Sequence, residues 1–281
     1  MTEKDFRKLV TDLELTKDDK DKIEDLKHHL LDIFNKELKH FTVVSLDNAL
    51  SLKWGVSYHE AKEISFVLIV TGVKIDNFHL TNASLINEMF NALLYNLNID
   101  KKDNIGYDNL RNAVYVLYNN QKINILLRYD NIINYQTDYF IEQDNLKHKF
   151  INLASNDFNL FKNSVILIKY LATTNNIDIS TYMISLLLYY GLSENFTTHT
   201  YDAYLKEFNH AVDDYLKGIK IDQDDDTYRK MGLEKVNQAK KLYTIVDISN
   251  PKVNLTSTAG EAFSQDLKKL KKVIQKVIEN H

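Results

Sequence analysis

The stretch Ala113-Val-Tyr-Val-Leu-Tyr-Asn-Asn-Gln-Lys-Ile-Asn-Ile-Leu-Leu127 constrains the fold most, because it reads as two strands around an Asn119-Asn120 turn. Its second strand sets Ile123, Ile125 and Leu127 on one face and Asn124, Leu126 and Arg128 on the other. If the isoleucines face a core, Asn124 faces a cleft. The apolar run Ile64-Ser-Phe-Val-Leu-Ile-Val70 reads as a third strand, buried on both faces and ended by Thr71-Gly72. Phe41-Thr-Val-Val44 is β-branched and strand-like, and Ser45 to Lys62 fits a loop, a turn of helix or a further hairpin through Leu52 to Val56.

Helical period dominates elsewhere. Asp5 to Leu15 is a short helix. Thr16 reads as an N-cap, with Asp18 and Asp19 complementing the helix dipole in the first turn. Ile23, Leu26, Leu30, Ile33, Phe34 and Leu38 then form one stripe. Asn82 to Leu97 is helical and Asn98 to Asn109 is loop-like. From about residue 140 the chain is mainly helical: Phe158 to Ala172, a dense apolar helix over Ile179 to Tyr190 ended by Gly191, Tyr201 to Leu216, Arg229 to Tyr243, and Glu261 to Ile278, with a short extended piece at Thr244 to Ile248. Seven Gly and one Pro in 281 residues agree with long helices and few sharp turns. The fold class expected is α+β: a small sheet lobe with N-terminal helices over 1–140 and a helical lobe over 141–281.

Several function classes fall away. Absence of Cys removes disulfides, thiolate nucleophiles and Cys-ligated zinc. A net charge of −4 gives no global basic footprint for nucleic acid. The charged N-terminus lacks the apolar core of a secretory signal, and no apolar run would span a bilayer, so a cytoplasmic protein is expected. The histidines form no zinc pattern, and no nucleophile elbow is present.

Taken in order, several segments resemble the template-independent nucleotidyltransferases of the oligoadenylate synthetase and cGAS-like (CD-NTase) superfamily. They are the hairpin with Lys122-Ile-Asn-Ile-Leu126, the helix carrying Ile168-Lys169-Tyr170-Leu171, the helix from Ser180 to Tyr190, and Val246-Asp-Ile-Ser-Asn-Pro251 followed by Val253-Asn254. The likeness spans roughly residues 40 to 280. It implies a nucleotidyltransferase-like sheet lobe, a helical lobe and a ligand cleft between them. Members hold two magnesium ions on an Asp-x-Asp at one strand and a third Asp on the later hairpin. The matching positions here are Glu63, Ser65 and Asn124. The family's Gly-Ser phosphate turn has Ser45 as its positional counterpart, with Gly55-Val56-Ser57 as a second candidate. Lys169 would contact phosphate, with Ser180 or Thr181 nearby. Equally, Lys169 reads as a snorkelling lysine and Ser180 as a helix N-cap.

Magnesium wants hard, mostly anionic oxygen ligands, so a Ser hydroxyl and an Asn amide are poor substitutes for two Asp. The expectation is a protein that binds nucleotide or oligonucleotide in the interlobe cleft with a degraded metal site, no resident cofactor, and action by regulation or a protein partner. By resemblance, a bacterial or mobile-element defence setting accompanies it. One alternative is an active enzyme using magnesium and a nucleoside triphosphate, with acids drawn from Asp47, Glu60, Glu63 and Asp76. The other is a helical interaction module without ligand.

Overall fold

The structure is a computed structural model that describes residues 2–53, 55–59, 61, 63–72, 82–99, 104–108, 113–129, 158–192, 198–217, 233–235, 243–245 and 260–279. The chain divides into two compact units, Glu14–Thr137 and Met1–Leu13 with Asp138–His281. The first helix, α1 (Glu3–Leu13), therefore groups with the C-terminal segment, although its sequence position suggested the sheet lobe.

In the unit Glu14–Thr137, α2 (Lys17–Glu37) starts at Thr16 in a full capping box. Thr16 Oγ1 accepts from the Asp19 amide at 3.1 Å, and Asp19 Oδ2 accepts from the Thr16 amide at 2.8 Å. The stripe expected on this helix is the one that packs: Leu30, Ile33, Phe34 and Leu38 are buried, with Ile23 and Leu26 at the margin. There follow β1 (Phe41–Asn48), α3 (Leu50–Lys53), β2 (Glu63–Gly72), α4 (Asn82–Asn96), β3 (Ile105–Asp108), β4 (Ala113–Tyr118) and β5 (Gln121–Tyr129). Within Ser45 to Lys62, then, the strand runs on to Asn48 and is followed by one turn of helix.

The sheet order is β1-β2-β5-β4-β3. β2 and β5 run parallel at its centre, and the other pairs are antiparallel. One face is apolar: Ile64, Phe66, Leu68 and Val70 of β2, Ile123, Ile125 and Leu127 of β5, and Val114 and Val116 of β4 join Leu30, Phe34, Leu85, Met89 and Leu93 of the two long helices in one core. Each such side chain, removed from water, contributes about 1.5–3 kcal/mol. This burial fixes which residues of β2 and β5 are left for the other face.

The hairpin turn is the expected Asn119-Asn120. Both residues have positive φ, 50° and 62°. A two-residue turn needs that left-handed pair to match the strands' twist, and Asn tolerates it better than other non-glycine residues. β3 corrects the loop reading of Asn98 to Asn109. Four residues including a glycine give too short a pattern to register as a strand, yet Ile105 to Asp108 pair with β4 as an edge.

The second unit packs α1 with α5 (Phe158–Thr174), α6 (Thr181–Gly191), α7 (Tyr201–Lys217) and α8 (Gly260–Glu279), and holds a small antiparallel pair, β6 (Leu233–Lys235) and β7 (Tyr243–Ile245). β6, with Tyr243 of β7, corrects the helical reading of Arg229 to Tyr243 at four residues. α1 is tied in at two points: Glu3 Oε2 accepts from the Tyr201 amide at 3.1 Å, and the fully buried Phe6 lies 6.0 Å from the Tyr201 ring. A carboxylate there meets the exposed amides and positive end of α7. α6 is buried at every position from Met183 to Tyr190, the central core helix expected. Tyr189, Tyr190, Tyr201 and Tyr204 are all buried and belong to the packing of this unit. Among the described residues no helix is long and apolar enough to cross a membrane.

Candidate functional site

The parallel register of β2 and β5 pairs Glu63 with Lys122 and Ser65 with Asn124. Residues paired in register point to the same face. With Ile64, Phe66, Ile123 and Ile125 committed to the core, Glu63, Ser65, Lys122 and Asn124 share the opposite face. The three triad positions are thus brought together. Asn124 is 2% exposed, and its Nδ2 donates to Glu63 Oε1 at 2.6 Å and to Ser65 Oγ at 3.3 Å.

The direction of that amide follows from chemistry. A carboxylate only accepts, so Asn124 must offer its NH₂ group to Glu63. A divalent ion at the same place would need oxygen lone pairs. Here Asn124 turns hydrogens into the cluster, Ser65 brings a neutral hydroxyl, and the carboxylate of Glu63 already accepts the amide. This donor set does not fit a pair of magnesium ions. Among the described residues no group of three His, Asp or Glu is placed to hold a metal.

Ser45 pairs with Ile69 and Asp47 with Val67, so both lie on the same face of the sheet. Ser45 Oγ donates to Asp47 Oδ2 at 3.2 Å, and Ser45 sits inside a strand rather than in a turn. Asp47 stands level with a residue four places along β2 from Glu63, about 13 Å at strand rise. These two acids do not converge; Glu60 and Asp76 lie outside the described residues. Ser57, the alternative to Ser45, is buried after Gly55, whose φ is 67°.

In the helical unit, Lys169 is buried rather than snorkelling, and its Nζ donates to the Ile179 carbonyl at 2.7 Å. Ser180 is the N-cap of α6, accepting from the Met183 amide at 3.2 Å. The two candidates are therefore neighbours, each with a structural duty.

Two residues missed from sequence join the Glu63 cluster. Lys122 Nζ lies 4.9 Å from the centroid of the Tyr115 ring. Tyr115 is paired with Asn124 on one side and with Gly106 of β3 on the other. A Cβ on Gly106 would come within 2.5 Å of Tyr115 Cζ, so the glycine leaves the space the ring occupies. The signal was present: the alternation that turns Asn124 away from the core also turns Lys122, two residues earlier, the same way.

A recess of about 80 Å³ on the same unit is lined by Asp19, Ser57, Tyr58, Ile64 and Gln121 among others. Such a volume is too small for a nucleotide, since small-molecule sites run to about 300–1,000 Å³. At its rim His59 Nδ1 lies 2.8 Å from Asp19 Oδ2. Burial pushes the Asp19 carboxyl up, but hydrogen bonds from the Thr16 side chain and backbone and from His59 outweigh it and hold the group below its ordinary value.

The whole fold has known counterparts. The structure of CdnC from E. coli MS115-1 with ATP matches with a TM-score of 0.64 at 14% identity, over 99% of this chain and 92% of that one. The Rhodothermus marinus CdnE c-UMP-AMP synthase with Apcpp and Upnpp matches at 0.56 and 8% identity, over 100% and 97%. The Elizabethkingia meningoseptica CdnE cyclic dinucleotide synthase with GTP and Apcpp matches at 0.55 and 12%, over 99% of both chains. No family model and no curated protein matches the sequence. The likeness concerns the fold alone: a mixed sheet with helices and a helical C-terminal part, as in those CdnC and CdnE structures.

Proposed function

We propose that this protein uses the nucleotidyltransferase fold to bind a nucleotide or oligonucleotide at the sheet face carrying Glu63, Ser65 and Asn124, and acts through that binding or a protein partner rather than by two-metal transfer. The hydrogen bond from Asn124 Nδ2 to Glu63 Oε1, 2.6 Å long, carries the reading. Of the three positions only Glu63 is a carboxylate, and the amide beside it offers hydrogens rather than lone pairs to a metal. Two-metal phosphoryl transfer takes most of its electrostatic stabilisation from the ions, and removal of a single such contribution commonly costs ~10²–10³ in rate. Ligand class is supported by the fold relatives, one solved with ATP and one with GTP and Apcpp. A protein partner is supported by the complex of CdnC with HORMA, matched at a TM-score of 0.60. Ser45, on the same face of the sheet, belongs to this proposal as a phosphate contact, as do a cytoplasmic location and a defence setting.

Calorimetric titration of the full chain with ATP and GTP, in EDTA and in magnesium, tests it. Binding that persists in EDTA, with no product on prolonged incubation, is the result expected. Binding that requires magnesium and leads to nucleotide products would show a working enzyme instead.

A further inference from the structure

We propose that Lys122 supplies the positive charge at this site, whose donor set does not suit magnesium, its ammonium holding the phosphate groups of the bound nucleotide. The proposal rests on the nucleotide-binding reading and names the group that carries it.

Lys122 is placed for this by the sheet itself. It is the in-register neighbour of Glu63, on the adjacent strand and the same face, and lies two residues before Asn124. Neighbouring strands are about 4.8 Å apart, so its stem rises directly beside the cluster. Its side chain is half-buried, and its ammonium contact among the described residues is the face of the Tyr115 ring, 4.9 Å away. That contact holds a cation without neutralising it. A phosphate oxygen offers a charge-assisted hydrogen bond, which is stronger, so the ring is a resting place from which the ammonium is free to turn. Lys169 differs, because its Nζ is already bonded to the Ile179 carbonyl inside the helical unit.

The charge of the cluster points the same way. Three acidic groups would attract two divalent ions. Glu63 and Lys122 together are formally neutral, so the cluster attracts a divalent cation far less than three acids would, and the ammonium is the group in it that attracts an anion. The class of ligand is a polyphosphate or phosphodiester anion, from a nucleoside triphosphate or an oligonucleotide.

The test measures binding of ATP and of a short oligoadenylate to the full chain in EDTA and in magnesium. Wild type is compared with Lys122→Met, Lys122→Arg and Tyr115→Leu, each checked for folding by its thermal melt. The expected result is binding in EDTA that falls about ten- to a hundredfold in Lys122→Met and much less in Lys122→Arg, the range for one charged hydrogen bond. Tyr115→Leu should bind more nearly like wild type, because it keeps the cation. The same pattern with oligoadenylate but not ATP assigns the phosphate to an oligonucleotide and also supports the role. Equal affinity in Lys122→Met, a Tyr115→Leu loss as large as that of Lys122→Met, or wild-type binding confined to magnesium would overturn it and leave nucleotide binding standing. No binding of either ligand by wild type would remove the nucleotide-binding reading itself.

Discussion

Asn124 reaches diagonally across two parallel strands to Glu63: its register partner is Ser65, yet its shorter hydrogen bond, 2.6 Å, goes to the carboxylate one pleat away. The buried amide thereby joins both side chains that resemblance places in the metal-binding pair.

Asn124→Asp replaces this donor with a second acid at a nearly buried position. Two carboxylates would then face each other where one hydrogen bond stood, and we expect a loss of about 3 kcal/mol, the scale of an uncompensated buried charge. Magnesium should recover part of it, because the variant presents two acids to a cation. Thermal melts with and without magnesium check this; a variant indifferent to the ion would contradict it, as would a wild type that gains as much.

The capping box at Thr16 should be visible in a pH titration. The Asp19 carboxyl lies below its ordinary 3.8, so its contribution is complete above the unfolded value and is lost as pH falls through the lower folded one. Thr16→Ala should cost about 1 kcal/mol near neutral pH. The difference between variant and wild type, measured by urea denaturation, should shrink in that acid window.

Two glycines make opposite predictions about rescue. Gly106→Ala drives a methyl into the Tyr115 ring. The cost should be about 1–3 kcal/mol and should largely vanish in the double variant with Tyr115→Leu, since the obstacle is a side chain. Gly191→Ala instead meets the backbone of Glu207, with its carbonyl carbon 2.7 Å away. No side-chain change there removes the clash, so its loss should persist in every partner variant tested by the same cycle.

Lys169→Ala should destabilise the helical unit by about 1–3 kcal/mol, because the buried Ile179 carbonyl loses its donor. Lys169→Met, of similar length, fills the space but restores no hydrogen bond, and should recover only the packing share. Equilibrium unfolding of both separates this loss from any loss in nucleotide binding.

Legibility in the sequence followed the strength of periodic burial. The stripe of α2, the dense run of α6 and the alternation of β5 were plain because many residues repeat one environment. β3 was hidden because four edge residues repeat too little, and β6 because three residues of strand lie in a segment with helical spacing. That Asn124 turns away from the core was legible through alternation, and its grouping with Glu63 and Ser65 came from resemblance. Lys122 lies on the face that the same alternation gives Asn124, but a single lysine in a strand carries no motif of its own. The partnership of α1 with the C-terminal helices turns on long-range contacts such as Glu3 with Tyr201, to which no local pattern points.

The Asn119-Asn120 turn gives the site a dependence on parity. Those two residues close the hairpin with no residue to spare, and the count from the turn decides which side chains of β5 look outward. Insertion of one residue after Asn120 would send Asn124 and Lys122 inward and bring Ile123 and Ile125 out, abolishing cluster and core in one step. Two inserted residues would keep the faces and merely slide the strand. The chemistry at Glu63 is thus addressed by a number, odd or even, set at an exposed loop that touches none of it.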